Sequence, residues 1–235
     1  MNFANAFTPE RLQEAWNCLL IEFPFAIWET LYSTLLATLF AIIIGLPLGV
    51  LLVTGEPKGI RPLPKVLMSF LNVFINFLRS VPFIILMVMI IPLTRVIVGT
   101  SVGTVASIVP LTVAAFPFIA RLVESSLREV NPNIIETAQA MGATPMQIIT
   151  HVMLPESVPS LITNFTLAIT TIMGYTAMSG AVGGGGLGKL ALAYGYQRYR
   201  YAVLYLAVIV LVLITQLIQS FGTWLARKCD KRLKD

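Results

Sequence analysis

Of the 235 residues, 57% are hydrophobic and 11% are charged, and the mean hydropathy is +0.83. A water-soluble globule carries about 25% charged residues, so composition excludes one and predicts an all-α polytopic membrane protein. The net charge of +5 is read as topology and not as a nucleic-acid surface, because the placement of Lys and Arg in a membrane protein decides more than their sum.

Residues 1–27 carry Glu10, Glu14 and Glu22 against a single Arg11. They lack the basic start of a cleaved leader and read as a periplasmic or interfacial segment. A helix rises about 1.5 Å per residue, so roughly 20 apolar residues are needed to cross about 30 Å of hydrocarbon. Five stretches qualify: Trp28–Val53, Ser80–Val98, Val105–Val123, Leu161–Val182 and Tyr201–Leu225. Ahead of the second, Val66, Phe70, Val73, Phe74 and Phe77 recur at helical spacing, interrupted by Ser69, Asn72 and Asn76. That pattern predicts an interfacial lead-in continuous with span two. Lys58, Arg61, Lys65 and Arg79 precede span two, Arg121 and Arg128 mark the end of span three, and Arg227, Lys228, Lys231, Arg232 and Lys234 follow span five. With an odd number of spans these cations share one side, which the positive-inside bias makes cytoplasmic. The N-terminus is then outside, residues 28–226 form the transmembrane domain, and residues 227–235 are a basic cytoplasmic tail.

Between spans three and four, residues 131–155 read as two short cytoplasmic helices. Asn131 and Pro132 make a good start, a capping side chain followed by a residue whose missing N–H costs nothing in the first turn. Gly142 is a stop that takes the left-handed conformation. Thr144, Pro145 and Gln147 then fit a capping box, and this second helix is expected to end near Leu154 and Pro155. Ile134, Ile135, Ala138 and Met141 lie at helical spacing. On pattern alone, the element is either an apolar knob for a partner's groove or an amphipathic linker resting on headgroups. Glu136, favoured near a helix start by the macrodipole, would anchor the turn or pair with a basic residue across an interface.

Gly183–Lys189 fits the first seven positions of a P-loop but has Leu190 where the Mg²⁺-holding Ser or Thr belongs, and no soluble strand precedes it. It reads as a flexible external turn. In span four, Thr163, Thr166, Thr170, Gly174, Ala177 and Ala181 form a small-residue stripe suited to helix contact. Thr171, Tyr175 and Met178 form a neighbouring one. Met173, Tyr175 and Met178 are candidates for narrowing a solute path, against the commoner role of Met as core filler. Prolines 47, 82, 92, 110 and 117 are sites of kinking or hinging. Arg121, Glu124 and Arg128 lie at i, i+3 and i+7 and read as a solvated boundary cluster. His151, Cys18 and Cys229 have no metal-ligand spacing.

A proton- or sodium-coupled carrier keeps ionisable groups in its membrane part, and no Asp or Glu falls near the middle of these spans. An intramembrane enzyme would need a nucleophile and base, for which one His is thin provision. A channel has no use for a cytoplasmic docking element.

The run Glu136-Thr137-Ala138-Gln139-Ala140-Met141-Gly142, with Leu154-Pro155 closing a twenty-position span, resembles the coupling-loop signature of ABC importer permeases. Thr137 and Val152 stand where that signature has Ala and Ile. The strings Arg79–Leu86, Pro92–Ser101, Ala140–Ile148 and Gly180–Gly183 are similar to the methionine-uptake permeases of bacteria, over roughly residues 28–219. The resemblance implies a type I importer permease with five transmembrane helices in the bacterial inner membrane. It implies a homodimer with the path at its interface, two cytosolic ABC ATPase subunits that hold ATP and Mg²⁺, and a periplasmic or lipid-anchored binding protein delivering L- or D-methionine. This chain would be non-catalytic, hold no cofactor, contact membrane lipid and bind no nucleic acid. Coupling to the ATPase would fall to Glu136, Ala138, Met141, Gly142, Thr144, Pro145, Leu154 and Pro155. The alternatives are a permease of the same class for another small amino acid or derivative, or a secondary transporter or channel.

Overall fold

A computed structural model describes residues 8–57 and 59–230; Lys58, residues 1–7 and the tail cations Lys231, Arg232 and Lys234 lie outside the described residues. Among the described residues the chain is mainly helical and has no strand. The α-helices in order are α1 Pro9–Ile21, α2 Phe23–Thr54, α3 Lys65–Ser80, α4 Phe83–Met89, α5 Ile91–Val98, α6 Thr104–Arg128, α7 Pro132–Ala140, α8 Pro145–Gln147, α9 Leu154–Glu156, α10 Val158–Ser179, α11 Gly186–Lys189 and α12 Tyr201–Cys229.

The helix α2 and the segments 104–128, 158–182 and 201–229 are each long and apolar enough to cross a membrane; a fifth span requires α3 and α4 to count as one broken crossing. Span two therefore differs from the continuous helix expected over Ser80–Val98. Val81 and Pro82 are extended, with ψ of 124° and 136°, and a second break at Ile90 precedes Pro92. A proline has no N–H to donate and pushes the residue before it out of the helical region, and two prolines ten residues apart leave only short pieces between. Pro47, Pro110 and Pro117, by contrast, stay inside continuous helices.

The chain forms two compact units. One holds residues up to Thr38 with Pro82–Val113 and Ile169–Ile218; the other holds Leu39–Val81, Ala114–Ala168 and residues from Gln219 onward. In the first, Phe23 and Ala26 pack with Leu187, Leu190, Ala202, Val203 and Ala207. Buried hydroxyls in it bond back along α2 itself: Thr30 donates to the Ala26 carbonyl at 2.9 Å and Thr38 to that of Thr34 at 2.7 Å, which lets polar side chains sit in an apolar helix, whereas the buried Thr34 hydroxyl has no hydrogen-bond partner among the described residues. In the second, Leu52, Met68, Ile75 and Ala120 form the core. The helices approach closely there because glycine has no Cβ: one placed on Gly49 would lie 2.6 Å from the Ala120 carbonyl oxygen.

Candidate coupling element and translocation face

The candidate coupling element lies in the second unit, and local sequence builds it. The Asn131 side chain accepts from the Asn133 N–H at 3.0 Å, and Pro132 opens α7. The helix closes at Gly142, whose φ is +81°. There the Ala143 N–H donates to the Ala138 carbonyl at 3.1 Å and the Gly142 N–H to that of Gln139 at 2.9 Å, the paired bonds of a Schellman stop. Thr144 then caps α8, with its own N–H donating to the Gln147 carboxamide at 2.8 Å and its hydroxyl accepting from the Gln147 N–H at 3.4 Å.

The second helix ends near Leu154-Pro155 as expected, at Glu156. It runs through a widened, π-type turn over Ile148–Met153 into α9, with Ser157 as its C-cap. Pro155 cannot donate to the preceding turn and its ring crowds the carbonyl there; a widened turn relieves both.

The apolar strip also divides. Ala138 is only 5% exposed, and Ile148 and Met153 are 1% exposed, so these fasten the element to its own chain. Met141 and Met146, 78% and 66% exposed on either side of the Gly142 turn, carry the open apolar surface. Ala138 thus belongs under the element and not on its knob. Glu136 is exposed, and among the described residues no hydrogen bond or ion pair involves its carboxylate. It borders a cavity of about 270 Å³ together with Glu56, Gly59, Ile60, Gln139 and Met153. Leu154 is half-buried, whereas Pro145 and Pro155 are exposed.

Also in this unit, the cations expected to be solvated are tied down. Arg121 donates to Glu124 at 2.6 Å, Asn72 at 2.8 Å and Asn76 at 3.0 Å, while Arg128 reaches Glu124 at 2.8 Å and Glu56. The Arg121 and Glu124 side chains are 21% and 12% exposed. Asn72 and Asn76, which interrupt the apolar face of α3, thus present the acceptors that hold α3 to α6.

The three candidate path residues lie in the first unit and do not share a surface. Met173 is 2% exposed and its sulfur accepts from the Thr215 hydroxyl at 3.3 Å. Tyr175 stacks on Phe83 with ring centroids 4.7 Å apart. Met178 is exposed, as is Gly174 one turn before it. The 100° step of a helix turns Met173 inward when Gly174 and Met178 face out.

Over residues 45–235 the chain matches the family described as the inner membrane component of binding-protein-dependent transport systems. It is 48% identical over 208 residues to the probable D-methionine transport system permease protein of Vibrio cholerae, covering 88% of this chain and 92% of that one. The chain belongs to this permease family, in its methionine-uptake branch. The D-methionine transport system permease protein of Escherichia coli is 51% identical over 154 residues, 66% of this chain and 70% of that one. A methionine ABC transporter solved in an inward-facing conformation superposes with a TM-score of 0.88 at 46% identity, over 91% of this chain and 98% of that one. An amino-acid ABC transporter at a TM-score of 0.75 and 17% identity shares the fold alone. Family membership and the apolar helices together make the permease a multi-pass inner-membrane protein.

Sequence reasoning passed over Met146, although its place just after the Pro145 start puts it at the same open end as Met141. It also passed over Glu29. Nothing local marks Glu29, because the donors it meets are 75 and 157 positions away.

Proposed function

We propose that this permease is the membrane subunit of an ATP-driven importer of methionine, working as a homodimer with two cytosolic ATPase subunits and a methionine-binding protein on the outer face. ATP and Mg²⁺ are held by the ATPase subunits and supply the energy. The N-terminus is outside and the C-terminus inside, so the element at 131–156 faces the cytosol. The observation that carries the reading is the exposed pair Met141 and Met146 flanking the Gly142 turn, in a chain 48% identical to a D-methionine permease. Two thioether tips on a rigid turn fit an apolar groove, and the exposed Glu136 is available to a cation on the partner. Closure of the ATPase pair displaces the element, and its core anchors Ala138, Ile148 and Met153 pass that displacement to the adjoining helices. Import is directional because the ATPase and the loaded binding protein each bind one arrangement of the permease better than the other. Gly174 and Met178 present the face along which substrate passes at the homodimer interface.

The test is reconstitution of the permease with its ATPase and binding protein in vesicles. Methionine should accumulate only with ATP on the ATPase side. Accumulation by the permease alone, or of a different amino acid in preference to methionine, would overturn the proposal.

A further inference from the structure

The glycine run after α10 is not the loose turn its composition predicts. Gly186, Leu187 and Gly188 are buried, and the segment is tied to two other parts of the first unit. The Gly186 N–H donates to one carboxylate oxygen of Glu29 at 2.7 Å, and the Thr104 hydroxyl donates to the other at 2.6 Å. Beside them the Leu187 N–H donates to the Thr30 hydroxyl at 2.9 Å, and the Gly103 N–H to the Gly183 carbonyl at 2.8 Å. Side chains are excluded by contact. A Cβ on Gly185 would collide with the Thr104 hydroxyl and stand 2.8 Å from Glu29, and one on Gly186 would collide with the Thr30 hydroxyl. One carboxylate therefore joins the start of α2, the start of α6 and the segment that closes α10. A half-buried Glu in an apolar helix of 32 residues is costly to keep, and both of its oxygens take charge-assisted hydrogen bonds.

We infer that Glu29 is a positioning residue for transport. Its carboxylate fixes the segment 183–188, and through it the end of α10 bearing Gly174, Tyr175 and Met178, against the starts of α2 and α6, and substrate passage requires that placement. This rests on the importer reading above. It adds a residue outside the coupling element and outside the exposed face.

The experiment uses the full permease–ATPase complex in vesicles, with methionine uptake and ATP hydrolysis measured on the same preparation. Absence of ATP-dependent uptake by the unmutated complex would sink the importer reading and leave the Glu29 network unaddressed by that failure alone. Glu29→Gln keeps the shape but leaves one acceptor oxygen for two donors. It should lower uptake about tenfold, the scale of one lost hydrogen bond to a charged group, with complex yield and hydrolysis within about twofold of the original. Uptake equal to the original would overturn the inference.

The second arm separates positioning from mere stability. A Cβ on Gly183 lies 4.0 Å from the Val102 Cβ, within the roughly 3.5–4.5 Å of a disulfide. Val102→Cys with Gly183→Cys, in a Cys18→Ser, Cys229→Ser background, should crosslink under mild oxidant whether or not methionine is the substrate; failure to crosslink would contradict the described proximity. Combined with Glu29→Gln, the crosslink should restore uptake, and reductant should abolish the rescue. A complete crosslink that does not rescue overturns the inference. If Glu29→Gln fails to assemble, Thr104→Val, which spares the Gly186 bond, should lower uptake severalfold, and unchanged uptake there overturns it equally.

Discussion

The turn at Gly142 and the run at Gly183–Gly188 both connect helices through glycine, and they are closed in opposite ways. At Gly142 every cap comes from within eleven positions: Asn131 behind it, Thr144 and Gln147 ahead of it, and the carbonyls of Ala138 and Gln139 beneath it. The result is a rigid turn with open surroundings, where a Cβ on Gly142 would meet nothing within 4 Å. At Gly186 the closing groups are Glu29, Thr30 and Thr104, which only the folded first unit assembles. A locally closed turn leaves its outer surface free for a partner. A turn closed by distant residues spends that surface on its own chain and reports on how those residues are placed.

The sharpest way to break the comparison is to make one substitution at both glycines. Each has positive φ, +81° at Gly142 and +75° at Gly186, so alanine at either pays about 1–2 kcal/mol of backbone strain. Only at Gly186 does the new methyl also meet an atom, the Thr30 hydroxyl, and overpacking adds about 1–3 kcal/mol. Gly186→Ala should therefore lower the unfolding midpoint of the detergent-solubilised permease by clearly more than Gly142→Ala. Equal shifts would show that the run is loose, as its composition predicts.

Next in size is a charge on the open surface. Met141 is 78% exposed, so Met141→Asp should change stability by less than about 0.5 kcal/mol. A carboxylate forced into an apolar groove should nonetheless weaken capture of the ATPase subunit by at least about tenfold, the scale of one truncated anchor in an interface core. Met146→Asp should behave alike. ATPase binding unaffected by both would mean that the element rests on lipid, the other role its amphipathic pattern allows.

The same contrast explains what the sequence made legible. The caps Asn131, Gly142 and Thr144 were readable because each bonds to a neighbour within a few positions, and the apolar runs were readable because a membrane imposes their length. The breaks at Val81–Pro82 and Ile90 were not. Proline content alone does not separate Pro82 and Pro92, which open new helices just after a break, from Pro47, Pro110 and Pro117, which sit inside continuous ones. Which prolines a helix tolerates depends on whether neighbouring groups satisfy the freed carbonyls, and that is tertiary information. The burial of Ala138 and Met173 was not legible for a related reason. Spacing says which residues share a face but not which face the rest of the chain covers. The Arg121 cluster was read at the right positions, yet its burial comes from Asn72 and Asn76, some 45 positions away or more.

The smallest expected effect tests whether the cap of α8 is only a cap. Thr144 is exposed, and its hydroxyl accepts the Gln147 N–H at the long distance of 3.4 Å. In Thr144→Ala water can take that donor, and the Gln147 carboxamide can still accept from the backbone N–H of position 144. The loss should sit at the low end for an N-cap, about 0.5–1 kcal/mol, or a few degrees at most in the unfolding midpoint. Because the Schellman bonds at Gly142 remain, Met141 and Met146 keep their places, so uptake should stay within about twofold. A small stability change with abolished uptake would mean that the Thr144 hydroxyl itself meets the ATPase, which would extend the docking surface from the two methionine tips to the polar turn between them.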